Sequence, residues 1–246
     1  MAPARGHRAL AKQEISASNM GSTASWDDPS RRILRAPAWP EENRTMHVAL
    51  HKPVGYSCSH NRVESPVVDE LLPETLQERG LEPIGRLDRA TSGLLILTTD
   101  GQSIHALGHA DHKVEKQYRI GFRGLLPASV IDRFAEGIRV PGYATPTRPA
   151  DLVIVRPCRF RGTELDEKLG EATLVLREGR NRQVRRMFRA VRANVVTLHR
   201  ERIGGYWLPP ALLPGEFCRL TASDRAALHE GSPPSPDRPP PHLAGA

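Results

Sequence analysis

The sequence predicts an α+β fold, because short strand patterns outnumber helical ones and the two kinds do not alternate regularly along the chain. Apolar residues make up 39% of the 246 residues, which is enough to build a hydrophobic core. No apolar run approaches the length of a membrane span, so the composition excludes a transmembrane protein.

Five segments have the alternation or the β-branched content that is typical of strands. They are Met46–Leu50, Leu94–Thr99, Tyr118–Phe122, Ala150–Val155 and Ala172–Leu176. Three further segments have helical patterns, with apolar residues three and four positions apart. They are Gln102–Leu107, Pro127–Glu136 and Asn181–Val191.

Both ends of the chain have the composition of tails. Residues 1–43 are rich in Ala, Ser, Arg and Pro, and residues 225–246 are rich in Pro, so we expect both to be disordered. One folded domain is therefore predicted over residues 44–224. The N-terminal segment carries Arg5, Arg8 and Lys12 against one acid, a composition also found in organellar transit peptides. Its amphipathic period is poor and Asp27 and Asp28 follow, so we favour a cytoplasmic location over organellar import.

The positive charge of the chain is concentrated in one stretch. The formal net charge is +7, and residues 177–202 contain nine arginines against two glutamates. Local basicity of this kind is typical of proteins that bind nucleic acid. The three cysteines, Cys58, Cys158 and Cys218, are far apart and odd in number, so neither a disulfide scaffold nor a structural zinc site is expected.

The predicted helix Asn181–Val191 has two distinct faces. Val184, Met187, Phe188 and Val191 form an apolar stripe, with Asn181 as the expected N-cap. Arg182, Arg186 and Arg189 form a second stripe, and Arg185 lies at the border, where it can point into a cleft. Since no acid four residues away compensates these charges, we interpret the basic face as a phosphate-binding surface rather than a merely solvated one.

Asp88 is the strongest candidate for a catalytic group. It lies in the segment GRLDRATSG, between Arg86 and Arg89, and a strand pattern follows. Neighbouring positive charges favour an ionised carboxylate, which can act as a nucleophile. Chemistry alone also allows a surface aspartate in a salt bridge, so this motif needs support from others.

Five segments together supply that support. They are HKPVGYSCS (51–59), GRLDRATSGLLILTTDG (85–101), VEKQYRI (114–120), LREGRNRQVRRMF (176–188) and LHRERIGGYWL (198–208) with LPGEFCRLT (213–221). In this order they resemble the motifs of the ribosomal RNA pseudouridine synthases of the RsuA family, and they cover nearly all of the predicted domain. The resemblance implies the pseudouridine synthase fold, a bent, mainly antiparallel mixed sheet with flanking helices and a central RNA-binding cleft.

The resemblance also implies roles for particular residues. Asp88 matches the catalytic aspartate, Tyr118 the tyrosine that stacks on the target base, and Arg185 the basic residue that pairs with the aspartate. Around them we expect a set of RNA-binding side chains. These are Lys52, Arg86, Arg89, Arg180, Arg182, Arg186 and Arg189.

The implied reaction isomerises a specific uridine to pseudouridine and needs neither a metal nor another cofactor. The expected partner is ribosomal RNA or a subunit-assembly intermediate, bound by a monomer. The residue sequences of the motifs favour 16S, small-subunit RNA as the substrate. Close relatives usually carry a small S4-type module before the catalytic domain, although some large-subunit relatives lack it, and residues 1–43 are too short and too polar to form one. A large-subunit (23S) enzyme and a non-catalytic RNA-binding or ribosome-assembly protein on the same scaffold are the alternatives.

The histidines His105, His109 and His112 have a spacing that can bind metal on a helix, but no Cys or carboxylate partner accompanies them. Cys58 lies in a family motif, and we interpret its thiol as part of the packing rather than as a nucleophile.

Overall fold

A computed structural model describes residues 45–59, 66–108, 114–158, 160–161, 164–165 and 169–230 of the chain. The predicted tail at 1–43 lies outside these residues, as do residues 231–246 of the predicted tail at 225–246 and His109 and His112 of the histidine cluster. No helix in the described ranges is long and apolar enough to cross a membrane.

The described residues form eleven strands and five α-helices, with a short 3-10 helix at Val68–Leu71. The strands are β1 (His47–Lys52), β2 (Glu82–Ile84), β3 (Ser92–Thr98), β4 (Lys116–Arg123), β5 (Asp151–Arg156), β6 (Phe160–Arg161), β7 (Glu164–Leu165), β8 (Gly170–Leu176), β9 (Asn194–Ile203), β10 (Tyr206–Trp207) and β11 (Phe217–Arg219). The helices are α1 (Glu74–Gln77), α2 (Gly101–Gly108), α3 (Val130–Glu136), α4 (Gln183–Ala190) and α5 (Ala222–His229).

Nine of these strands form one mixed sheet. Its order is β11-β1-β3-β9-β4-β8-β5, with β2 beside β3 and β10 beside β9. The pairing of β3 with β9, through Ser92 and Gly93, is parallel, and the other strand pairs of this sheet are antiparallel. The predicted α+β class and the mainly antiparallel mixed sheet are thus confirmed.

Each face of the sheet has its own apolar core, because successive strand residues point to opposite faces. On β1, Val48 belongs to the larger core and Ala49 to the smaller one. Phe188 of α4 packs into the larger core, whereas Leu107 of α2 and Leu228 of α5 pack into the smaller one. Different helices therefore cover the two faces.

The five predicted strands all form, and the structure has six further strands, of which β9 is the longest. This ten-residue strand lies at the centre of the sheet between β3 and β4. Its second half contains Arg200, Glu201 and Arg202, three consecutive residues that are each less than 7% exposed. Buried charges need partners, and Arg202 finds one in Glu115, at 3.1 Å. A polar sequence thus becomes a central strand because tertiary contacts pair Arg202 with Glu115 and Glu201 with Arg119.

Helix α5 corrects the predicted end of the domain at residue 224. The Thr221 hydroxyl accepts a hydrogen bond from the Asp224 amide (3.2 Å), and the Asp224 carboxylate accepts one from the Thr221 amide (2.8 Å). This reciprocal capping box starts a helix that continues to His229. Leu228, at 1% exposed, anchors the helix in the smaller core. Residues 225–230 are therefore part of the folded domain.

Candidate active site

Asp88 lies on the loop between β2 and β3, flanked by the exposed Arg86 and Arg89. Leu87 is 5% exposed and packs into the larger core, which fixes the centre of the loop. The Thr91 amide donates to the Asp88 carbonyl oxygen at 2.9 Å and closes a turn around the aspartate. The carboxylate is half-buried, and within the described ranges no residue donates a hydrogen bond to it. It is therefore free to act on a bound molecule.

Lys52 was predicted to bind RNA, and the structure shows that this prediction is wrong. Its side chain, at the end of β1, is 0% exposed. The ammonium donates to the carbonyl oxygens of Pro53 (3.0 Å), Asp88 (3.3 Å) and Thr91 (2.8 Å). Burial lowers the pKa of Lys52 to about 8, while the nearby Cys58 and Asp88 favour its charged form. Lys52 is a positioning residue that ties the Asp88 loop to β1.

A second tie joins the same loop to the turn after β1. The Gly55 amide donates to the Arg89 carbonyl oxygen (2.8 Å), and Arg89 Nε donates to the Gly55 carbonyl oxygen (3.1 Å). Arg89 therefore uses part of its guanidinium within the protein. Arg86 also has an exposed side chain, and no contact of its guanidinium within the described ranges is seen.

Gly93 brings β3 and β9 into unusually close contact just after the Asp88 loop. Its φ is +110°, and a Cβ atom there would lie 2.2 Å from the Arg200 carbonyl oxygen. Only glycine fits such an approach. The contact fixes Arg200, whose Nε donates to the Leu94 carbonyl oxygen at 2.8 Å.

Tyr118 lies on β4, directly opposite Arg200 of β9. A register irregularity between Gln117 and Tyr118 marks this position, and such bulges often re-aim a side chain beside an active site. The ring is 8% exposed and belongs to the larger core, together with Leu87. Tyr118 and the Asp88 loop therefore share one face of the sheet, as the predicted site requires.

Arg185 reaches the Asp88 loop from α4, but it does not form the hydrogen-bonded ion pair that we predicted. Its Nη1 donates to the Val195 carbonyl oxygen (2.8 Å) and its Nη2 to the Ala90 carbonyl oxygen (2.9 Å). Burial lowers the pKa of Arg185, and the Asp88 carboxylate is the nearby charge that opposes this effect. Because Ala90 is two residues beyond Asp88, Arg185 holds the loop and faces the carboxylate at longer range. Its Nε is buried and has no hydrogen-bond partner among the described residues.

Helix α4 begins later than predicted, and Asn181 is not its N-cap. Arg182 occupies that position with φ +52°, and it makes no capping hydrogen bond with its side chain. The Gln183 side-chain oxygen accepts from the Arg180 amide (2.9 Å), and the Gln183 amide group donates to Glu178 (2.5 Å). The buried Gln183 and Glu178 thus organise the start of the helix in place of a local cap.

The arginines of this region that were predicted to bind RNA differ in their exposure and in their contacts. Arg182 and Arg189 are exposed, whereas Arg186 is half-buried, with its guanidinium 5.4 Å from the centre of the Tyr143 ring. Arg180 is occupied within the protein, where it pairs with Glu178 (3.0 Å) and donates to the carbonyl oxygens of residues 145 and 146. The prediction that Arg180 binds RNA is therefore not supported by its contacts. Its guanidinium joins residues 145 and 146 to the segment that precedes α4.

Two cations near Tyr118, the buried Arg200 and the half-buried Lys116, escaped the sequence analysis. Arg200 is 1% exposed, and its Nη2 has no hydrogen-bond partner among the described residues. Burial lowers the pKa of Lys116 to about 8, and the charge of Arg200 adds to this effect. The arginine within LHRERIGG was visible in the sequence, but nothing in its spacing placed it inside the sheet.

Other reactive groups lie apart from this arrangement. Within the described ranges, no group of three His, Cys, Asp or Glu side chains is placed to hold a metal ion. His105 is exposed on α2, and Cys58 is buried in the larger core, as expected of a packing thiol.

Known proteins are similar to this chain in sequence and in fold. The ribosomal small subunit pseudouridine synthase A of Escherichia coli strain K12 is 35% identical over 188 residues, which is 76% of each chain. The enzyme of the same name from Yersinia pestis is 37% identical over 179 residues, 73% of this chain and 71% of that one. A crystal structure of a pseudouridylate synthase gives a TM-score of 0.66 at 35% identity, covering 77% of this chain and 75% of that chain.

The family model for RNA pseudouridylate synthase matches residues 46–190. This range contains the free carboxylate of Asp88, the ring of Tyr118 and the guanidinium of Arg185. The chain therefore belongs to the RNA pseudouridine synthase family.

Proposed function

We propose that this protein converts one uridine of 16S, small-subunit ribosomal RNA to pseudouridine, with Asp88 as the catalytic residue. The observation that carries the proposal is the half-buried Asp88 carboxylate, which lacks a hydrogen-bond partner in the described structure although its loop is held at several points. A carboxylate of this kind is preorganised for a substrate rather than for a structural salt bridge. The names of the relatives from E. coli and Y. pestis support the choice of small-subunit RNA.

The reaction begins when the target uridine leaves its stack, because its glycosidic bond is otherwise out of reach. Asp88 then assists cleavage of the bond between C1′ and N1, either as a nucleophile at C1′ or as a base. The freed uracil turns against the Tyr118 ring and rejoins the ribose through C5. The C5 proton is lost and N1 gains a proton, so the product is an isomer of the substrate and no redox cofactor is required.

The cationic groups have separate tasks in this scheme. Lys52 and Arg185 keep the Asp88 loop in place through the carbonyl oxygens of Asp88, Ala90 and Thr91. Arg86, Arg182 and Arg189 have exposed side chains that can bind RNA phosphates. Since phosphate contacts supply much of the affinity for RNA, these exposed arginines orient the RNA over the site. We propose that the protein acts as a monomer, in the cytoplasm, on ribosomal RNA or an assembly intermediate.

Pseudouridine mapping at single-nucleotide resolution tests the proposal directly. Ribosomal RNA from cells with and without this gene is compared, and a strain carrying the Asp88→Asn variant serves as a matched control. The expected result is that one pseudouridine of 16S RNA is absent both without the gene and with the variant. Loss of a 23S site would instead identify a large-subunit enzyme. An unchanged map in both strains would contradict the catalytic proposal.

A further inference from the structure

A second polar site lies on the face of the sheet opposite Asp88. It is a cavity of about 320 Å³ between β1, α2 and α5. Its apolar wall includes Leu107 and Leu228, both members of the smaller core. Its polar wall is formed by Thr45, His47, Asp100, Ser103, Arg225 and His229. None of these side chains takes part in the site around Asp88, so the cavity needs an explanation of its own.

His47 has one ring nitrogen without a partner. The side chain is 6% exposed, and Nε2 lies 2.9 Å from the Ser103 hydroxyl. That hydroxyl donates its hydrogen to the Asp100 carboxylate at 2.6 Å, so it can only accept from His47, and Nε2 carries the hydrogen. Nδ1 is buried and has no hydrogen-bond partner among the described residues. An unpaired polar atom is costly in such a place, which indicates that a group outside the described residues satisfies it.

Two cationic side chains of α5 line the same cavity. Arg225 is half-buried and His229 exposed, and neither side chain forms a hydrogen bond or ion pair within the described part of the chain. Burial lowers the pKa of His47, and the charges of Arg225 and His229 add to this effect, while Asp100 opposes it. The Asp100 carboxylate is already engaged, since it accepts from the Ser103 hydroxyl and from the Gln102 amide at 3.0 Å. The groups still able to bind are therefore the cationic side chains of α5 and Nδ1 of His47, which accepts a hydrogen bond while the imidazole is neutral and donates one once it is protonated.

We propose that this cavity binds a phosphate group, held by Nδ1 of His47 together with the side chains of Arg225 and His229. A bound anion stabilises the protonated imidazole, which then donates from Nδ1 to the ligand and from Nε2 to Ser103. Arginine beside histidine is suited to the several acceptor oxygens of a phosphate. The volume exceeds that of the ion alone, so the phosphate of a nucleotide or of an RNA backbone also fits. The site is independent of the pseudouridine synthase activity.

Inorganic phosphate is the first probe, added to the full-length protein at constant ionic strength against chloride. The readout is the pair of ring-nitrogen resonances of His47 in NMR spectra, assigned by their absence in His47→Gln. We expect a saturable shift of these resonances in the wild-type protein. Arg225→Gln should weaken phosphate binding about tenfold or more, since a charge-assisted contact is worth about 1.5–3 kcal/mol. His229→Gln, at an exposed position, should weaken it to a smaller extent.

The matched control is Arg133→Gln, which removes an exposed arginine of α3, a helix on the other face. This variant should bind phosphate as the wild type does. The proposal is overturned if the His47 resonances do not respond to phosphate. It is equally overturned if Arg225→Gln and Arg133→Gln bind phosphate with equal affinity.

A second arm identifies the source of the phosphate. If the RNA backbone fills the cavity, Arg225→Gln lowers the slope of log RNA affinity against log salt concentration by about one. Inorganic phosphate then also competes with RNA for the cavity. If a free phosphate or nucleotide fills it, Arg225→Gln and wild type bind RNA equally, and only the phosphate titration distinguishes them. Asp88→Asn should leave phosphate binding unchanged, so failure of this site and failure of the proposed catalysis give different results.

Discussion

Substitution of Gly93 by alanine tests whether the close approach of β3 and β9 holds the active site together. Gly93 has φ +110°, and an added Cβ would lie 2.2 Å from the Arg200 carbonyl oxygen and 2.6 Å from the Arg200 amide nitrogen. Gly55 is the natural control. Its φ is +96°, it lies in the turn bound to the Asp88 loop, and an added Cβ would meet nothing within 4 Å.

The two substitutions share the cost of the backbone conformation and differ in the clash. An unfavourable φ costs about 1–3 kcal/mol for a residue other than glycine, so Gly55→Ala should lose about that much stability. A relaxed contact between heavy atoms needs about 3.5 Å, so in Gly93→Ala the strands must separate by more than about 1 Å. The short parallel pairing of Ser92 and Gly93 with β9 then breaks. Each buried backbone group left unpaired costs about 1–3 kcal/mol. Gly93→Ala should therefore lose at least about 2 kcal/mol more of its free energy of unfolding than Gly55→Ala loses.

Urea unfolding of the two variants measures the free energy of unfolding, and pseudouridine formation on ribosomal RNA measures the effect on the site. Gly93→Ala should be the less stable of the two, and its turnover should fall further because the Asp88 loop shifts relative to Arg200. Equal stability and equal turnover of the two variants would refute the view that this contact positions the loop.

Two further predictions concern the cationic side chains. Arg189→Gln should weaken RNA binding and lower the slope of log affinity against log salt concentration by about one. A wild-type slope in this variant would contradict the prediction. Arg180→Gln should instead lower the free energy of unfolding, because it breaks the contacts to Glu178 and to residues 145 and 146. Lys52, with its pKa lowered to about 8, donates three hydrogens below that pH and loses one above it. Turnover should therefore decline as the pH rises through about 8, and Lys52→Arg, which stays charged, should show no such decline; identical pH profiles would exclude Lys52 as its cause.

The parts of the site that follow local patterns could be predicted from the sequence. The apolar stripe of α4 packs as its spacing indicates, with Val184, Met187 and Phe188 all buried. The placement of Asp88 in a loop before a buried strand is also confirmed. In both cases the information lies within a few neighbouring residues, so a single sequence was sufficient.

Lys52 and Arg200 could not be placed in this way, because contacts between distant residues determine their burial. The carbonyl oxygens that hold the Lys52 ammonium include those of Asp88 and Thr91, 36 and 39 residues along the chain. Arg200 donates to the Leu94 carbonyl oxygen, 106 residues away. A lysine before proline and an arginine in a charged segment both resemble surface residues until the partners are known.

The start of α4 was misassigned for a related reason. Asn181 has the residue type of an N-cap, but the helix starts after Arg182, whose φ is positive. The organising contact is between Gln183 and Glu178, both buried. Sequence preference for caps reflects local hydrogen bonding, and here a buried network replaces it.

The central claim, that Asp88 performs the chemistry, is tested most directly by the Asp88→Asn variant. The amide keeps the size of the side chain and removes its charge and nucleophilicity. The measurement is conversion of uridine in 16S ribosomal RNA by the purified protein, with RNA affinity determined in parallel. We predict no detectable pseudouridine at the target and RNA binding within a few-fold of the wild type. Full conversion by the variant would remove Asp88 from the mechanism.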